Sequence, residues 1–320
     1  MDNPNNEVRK DEAWERQLLE KLAMGALQEQ KAKRRWGIFF KLLAFGYFLA
    51  VLLLVIDWGH PEKLKDGKHA AVVYLHGTIE PKGEASAENV IASLQSAFED
   101  KATAGVVLRI NSPGGSPVQS GIIYDEIRRL RAKYPEVPLY AVVEDLCASG
   151  GYYVAAAADK IYVDKASIIG SIGVLMDGFG FTGTMDKLGV ERRLLTAGEN
   201  KGFLDPFSPQ DALQKQHAQI LLGEIHKQFI EVVRQGRGKR LKETPEIFSG
   251  LMWTGAQSIQ LGLADDFGTV DSVARDVIKV EKTVDYSVHE NIAERFAKRL
   301  GADMAKSLML RLSGEVPSIR

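Results

Sequence analysis

The sequence has 320 residues, enough for one large domain or two small ones at roughly 100–200 residues per domain. Lys and Arg number 41 against 42 Asp and Glu, a formal charge of −1, so the chain lacks the basic excess with which a nucleic-acid binder neutralises phosphates. The single cysteine, Cys147, allows no intramolecular disulfide, and with six histidines no Cys/His spacing suggests zinc, so neither a metal nor another cofactor is expected.

Residues 1–35 carry eight basic and seven acidic side chains, with Trp14, Leu18 and Leu22 spaced for an amphipathic helix. Leu42 to Ile56 is then a run of fifteen uncharged residues, and extending it back to Trp36 admits only Lys41. A helix of that length spans about 31 Å, close to the roughly 30 Å of a bilayer core. Trp36 and Trp58 bracket it as interfacial aromatics do, and no small-residue cleavage site follows, so 36–58 is expected to be a membrane anchor. Lys31, Lys33, Arg34 and Arg35 crowd its N-terminal side, which puts the N-terminus in the cytoplasm and everything after about residue 58 outside it.

After a polar linker over 59–69, an expected domain over 70–285 alternates strand and helix. The apolar, β-branched run Ala70–Ile79 reads as a buried strand and Ala87–Glu99 as a helix; Ala104–Ile110, Leu139–Val143 and Ile161–Val163 read as strands. Gly121–Lys133, Tyr152–Ala158 and Asp211–Arg234 read as helices, and 286–320 as a helical tail. Such alternation implies βαβ crossovers and a mostly parallel α/β sheet, whose active sites collect in loops at the carboxyl ends of the strands.

Two of those loops are unusual. Asn111-Ser-Pro-Gly-Gly-Ser116 follows the second strand, and its paired glycines let backbone N–H groups turn toward a bound group. Glu144-Asp-Leu-Cys-Ala-Ser-Gly-Gly151 follows the third and sets Ser149 at a helix start, where free N–H groups favour an anion. Singly, each is an ordinary turn and an ordinary N-cap; together they suit a nucleophile and an oxyanion hole. A serine nucleophile needs a base. His76, His217 and His226 sit in no distinctive loop and read as ordinary surface or packed histidines, whereas Lys201 is the lone lysine in a Gly/Pro-rich, partly apolar loop.

These residues, with HGTI at 76–79, RINSPGGS at 109–116, CASGGYYVAAAAD at 147–159, SIIGSIGV at 167–174 and MWTGAQSIQLGLADDFGTVDSV at 252–273, resemble the single-domain form of the signal peptide peptidase A family of serine–lysine proteases. The resemblance implies a crotonase-like (Clp protease-like) α/β spiral. It implies Ser149 as nucleophile, Lys201 as general base, Ser171 as the serine that orients the lysine, and backbone N–H groups of Gly115 and Gly150 as oxyanion hole. It further implies cleaved signal peptides and other hydrophobic or misfolded segments as substrates, a homo-oligomeric ring in which neighbouring subunits complete the site, and a place in the bacterial cytoplasmic membrane with the catalytic domain on the periplasmic side.

Two other classes compete: a crotonase-like domain that binds or hydrolyses an acyl-thioester, since that fold also holds an enolate oxygen with amide loops, and a non-catalytic membrane scaffold. An extracytoplasmic domain lies away from coenzyme A thioesters, and the presence of Ser149, Lys201 and Ser171 counts against loss of chemistry. Phe203, Phe207 and Met176 are expected either to line the substrate pocket or simply to pack.

Overall fold

The computed structural model describes residues 21, 24, 30, 31, 33–49 and 67–288. The chain divides into two units, one of residues 64–290 and one of 1–63 with 291–320. In the smaller unit, 33–49 is helical with its side chains exposed, and Trp36 stacks on Phe40 with ring centroids 5.6 Å apart. No helix among the described residues is long and apolar enough to cross a membrane. Most of the second half of the expected anchor, 50–58, lies outside the described residues, as do 289–320 of the expected tail.

The larger unit is built on one sheet. Strands β1 (His69–His76), β2 (Thr103–Ser112) and β3 (Leu139–Ala148) run parallel, with Val73 beside Leu108 and Leu108 beside Ala141. Both faces of these strands are covered in their first halves, which is why they read as continuous apolar runs. Ala71, Val73, Leu75, Val106, Leu108 and Ile110 enter the main core, while Ala70, Val107 and Val142 enter a smaller one closed by Val273 and Ala274. Each fully buried Val, Leu or Ile contributes roughly 1.5–3 kcal/mol.

Helices α1 (Ala87–Glu99) and α2 (Pro117–Lys133) cover the main face. Ser86 caps α1 and Ser116 caps α2, each accepting a backbone N–H three residues on. The start of α2 lies four residues ahead of the expected Gly121, because Ser116 and Pro117 are the cap and first residue of the helix rather than loop. β3 likewise runs five residues past the expected Val143, since the charged Glu144 and Asp145 lie where the sheet's second face is open.

That longer β3 divides the sheet. Tyr140–Val142 pair with β4 (Lys160–Val163), whereas Leu146–Ala148, after the short helix α3 (Gly150–Ala155) has been formed by the chain beyond them, pair with β5 (Ile168–Gly170). The exposed α4 (Thr182–Leu188) and the long α5 (Ala212–Arg237) follow, and Asp211 caps α5. The chain returns as β6 (Met252–Thr254), antiparallel to β5, then α6 (Gly255–Gln260), β7 (Asp266–Phe267) beside β4, and β8 (Thr283–Asp285) parallel to β1.

Polar clamps fix these pieces. Arg237 at the end of α5 is buried, donating to Asp265 Oδ2 at 2.8 Å and to the Gly262 carbonyl at 2.8 Å, while Asp265 accepts the Ile161 amide of β4. Burial pushes the Asp265 carboxyl up, but the Arg237 hydrogen bond and charge outweigh it and hold the carboxyl below its ordinary value. After β8, Tyr286 lays its ring against His69 at 5.9 Å and donates its hydroxyl to Asp100 Oδ2 at 2.5 Å. The first residues of the expected tail, Tyr286–Val288, are therefore not helical: Tyr286 and Ser287 bond to β1 and Val288 to Ser93 of α1.

Candidate active site

Ser149 follows the last residue of β3 and precedes α3, with φ 50° and ψ −122°. This backbone position strongly favours glycine, and a non-glycine residue held there carries about 1–3 kcal/mol of strain that the surroundings must over-determine. They do so from both sides: the Ser149 amide donates to the Gly170 carbonyl at 2.9 Å, and its own carbonyl accepts the Tyr153 amide at 3.0 Å. Although Ser149 occupies the N-cap position, its hydroxyl makes no capping bond and stays available.

The loop after β2 folds against it. Ser112 Oγ donates to the Gly77 carbonyl at 2.6 Å and accepts the Gly114 amide at 3.1 Å. Ile79 bridges this loop in parallel fashion, its amide donating to Gly114 O and its carbonyl accepting the Ser116 amide, both at 2.8 Å. Those bonds bypass Gly115, whose N–H has no acceptor among the described residues; Gly150, first residue of α3, is likewise free by its helical position. A Cβ on Gly115 would run into the Ile79 backbone carbonyl, so that position demands glycine, and one on Gly150 would displace Ser120 Oγ. The two glycines are neighbours: the place of that Gly150 Cβ lies 3.2 Å from the Gly115 nitrogen.

Ser171 sits at the end of β5 with φ 52°. Its amide donates to the Leu251 carbonyl at 2.7 Å, and its carbonyl accepts the Gly173 amide at 2.9 Å, closing a tight turn around Ile172. Gly115, Ser149, Gly150 and Ser171 all line one cavity of about 570 Å³, within the range of ligand sites. Tyr153, Ile225 and Phe229 form an apolar wall, the Tyr153 and Phe229 rings lying 5.1 Å apart. Burial pushes the Tyr153 hydroxyl up from its ordinary value, and does the same for the thiol of Cys147, which is buried and inert.

The structure thus brings together four of the five expected site residues. Lys201 lies apart, in an exposed turn where its amide donates to Gly198 O at 3.1 Å; it does not line the cavity, and its side chain has no partner among the described residues. The stretch around it exposes Leu175, Phe179, Leu188 and Leu195. Of this stretch only Val174 and Leu175 reach the cavity. Met176, Phe203 and Phe207 do not line it; Phe207 stacks on Phe181, and Phe203 meets the His217 ring edge-on. His76 is engaged elsewhere, 2.7 Å from Glu144 Oε2. The sequence reading missed the Tyr153–Phe229 wall, whose members come from helices far apart in the chain, and Ser120, whose buried hydroxyl shapes the Gly150 position.

A larger cavity of about 790 Å³ opens on the second face of the sheet, where Arg109 pairs with Glu144 and lies over the Tyr74 ring at 5.0 Å. None of its lining residues has a positive φ, so chemistry is assigned to the smaller one.

Comparison with known proteins identifies the family. The sequence model of Peptidase family S49 matches residues 131–285, and that of Clp protease matches residues 69–168. The chain is 45% identical over 209 residues to a Brucella melitensis protein named "Na(+)/H(+) antiporter NhaA", covering 64% of this chain but only 28% of that protein. It is 30% identical over 240 residues to the Enterococcus faecium "Putative signal peptide peptidase SppA", covering 72% of this chain and 69% of the relative. It is 31% identical over 257 residues to the "Putative protease MJ0651" of Methanocaldococcus jannaschii, covering 76% and 82%. The larger unit is accordingly a Clp protease-like α/β domain.

Proposed function

The chain belongs to peptidase family S49, and from that membership and the Ser149 cavity we propose that it is a membrane-anchored serine endopeptidase with a Ser149/Lys201 dyad. The single observation that carries the reading is Ser149 itself: a strained serine with an uncommitted hydroxyl, beside two glycine amides that have no acceptor among the described residues.

In the proposed reaction the Ser149 hydroxyl attacks a scissile carbonyl carbon as its proton passes to the Lys201 amine. The Gly115 and Gly150 N–H groups hold the resulting oxyanion. The C–N bond then breaks, the ammonium returns its proton to the leaving amine, and an acyl-Ser149 ester remains for water to hydrolyse. An amine can take that proton only in its neutral form, which removal from water favours. Lys201 stands in solvent on the isolated chain, and the apolar stretch that carries it is uncovered. The reading therefore includes a homo-oligomer of crotonase-like domains in which the 174–210 stretch of one copy docks on the next and delivers Lys201 to a neighbouring Ser149.

Residues 36–58 anchor the enzyme in the bacterial cytoplasmic membrane with the N-terminus inside and the protease domain outside, and its substrates are cleaved signal peptides and other hydrophobic segments. The fifteen-residue uncharged run and the apolar Tyr153–Phe229 wall support this. The test is cleavage of a hydrophobic peptide by the full chain in detergent: Ser149→Ala and Lys201→Ala each eliminate turnover, and undiminished cleavage in either variant overturns the dyad.

A further inference from the structure

His226 reads from sequence as an ordinary histidine on a helix, yet its Nε2 lies 3.1 Å from the carbonyl oxygen of Ile172, 54 residues earlier. A carbonyl only accepts, so Nε2 carries the proton. Ile172 is the middle of the turn that begins at Ser171. The other bonds of this turn are all backbone: Ser171 to Leu251 on the β6 side, and Gly173 back to Ser171. Among the described residues His226 supplies the sole side-chain hydrogen bond to it, and it comes from α5. The neighbours of His226 on that helix, Ile225 and Phe229, form the apolar wall of the cavity that Ser171 also lines.

We propose that His226 is a positioning residue for this site: its Nε2–H pins the Ser171 turn to α5 and so holds Ser171 at its left-handed backbone position in the lining of the cavity. The inference rests on the peptidase reading of the Ser149 cavity and adds to it a residue that touches neither substrate nor reacting atoms. A strained turn persists only while its surroundings over-determine it. Removing the one bond from the α5 side lets Ser171 relax to a commoner backbone state, and a displacement of an ångström at a catalytic constellation lowers rates by up to about a hundredfold.

The experiment compares His226→Ala, His226→Asn and His226→Gln in the full chain in detergent, on a fluorogenic hydrophobic peptide. Glutamine places an amide N–H where Nε2 lies; asparagine places it where Nδ1 lies, too far from Ile172. The expected result is a fall in kcat of about tenfold or more for His226→Ala, with KM changed less than about twofold, in line with a lost positioning contact. His226→Asn behaves like His226→Ala, and His226→Gln recovers to within about threefold of the parent. Should His226→Ala fail to fold, the Gln and Asn pair decides the matter, with their melting temperatures compared alongside. Equal kcat for Gln and Asn, or a parent-like kcat for Asn, overturns the proposal. Full activity in Ser149→Ala overturns instead the reading on which it rests.

Discussion

The amide of Ser149 and the carbonyl of Gly170 share a 2.9 Å hydrogen bond, and through it two serines with positive φ, Ser149 and Ser171, hang on the same contact between β3 and β5. Strain at these positions is thus held at the pairing of two neighbouring strands.

Ser149 should be replaceable at a gain in stability. Its φ and ψ match a position that glycine adopts freely, so Ser149→Gly is expected to be inactive on peptide yet more stable than Ser149→Ala by about 1 kcal/mol. Urea unfolding of the two variants reads this directly. An alanine variant as stable as the glycine one means that Ser149 carries no strain.

Gly115→Ala behaves in the opposite way. The added Cβ meets the backbone of Ile79, which cannot swing aside as a flexible side chain can. A destabilisation of about 3 kcal/mol or more, with loss of activity, is expected, visible as a lower denaturation midpoint. A midpoint within error of the parent means that the Ile79–Gly115 bridge is loose.

For Lys201→Ala the two readouts separate. The side chain is exposed and without a partner among the described residues, so stability of the protease unit stays within about 0.5 kcal/mol of the parent, while peptide cleavage disappears. Mixing Lys201→Ala with Ser149→Ala subunits restores part of the activity if one copy serves the other. Mixtures that stay dead after subunit exchange, when each parent oligomer exchanges freely, exclude a dyad shared between copies.

Stability in acid follows Asp100. The Tyr286 hydroxyl, then the Ala102 amide, hold its carboxyl below the usual value, against the push of burial. A depressed carboxylate contributes stability that is present above its unfolded value, about 3.9, and is lost as pH falls through the lower folded value. Tyr286→Phe should therefore lower the melting temperature at pH 6, with the gap to the parent closing as pH drops below about 4. On the basic side, burial and then the bond to Asp100 push the Tyr286 hydroxyl up to about 12, so the gap also narrows as pH rises beyond about 10. A gap that is flat from pH 3 to 7 contradicts the Asp100 linkage.

The alternation of strand and helix was legible because β1, β2 and the first half of β3 are buried on both faces and α1 on one, which writes itself into hydrophobic periodicity. The reading failed where side chains do two jobs. Ser116 and Pro117 look like loop and are a helix start; Glu144 and Asp145 look like a strand's end and lie within it, because one face of the sheet is open there. That four expected residues share one cavity was legible through the paired loops and the Ser171 motif. The link from His226 to Ile172 was not, since a single hydrogen bond between segments 54 residues apart leaves no local pattern.

The pairing of β8 with β1 has a consequence for the order in which the enzyme can be completed. The amide of Tyr74 finds its acceptor in Ser287, 213 positions later, and Ala70–Val72 find their outer neighbours in Thr283–Asp285. A growing polypeptide therefore presents β1 with an open edge throughout its synthesis, and the edge closes only when nearly all of the described chain has emerged. A truncated product would keep that edge unsealed and prone to pair with foreign strands, so chains cut short before residue 283 are expected to be cleared or to aggregate rather than to persist as unregulated proteases.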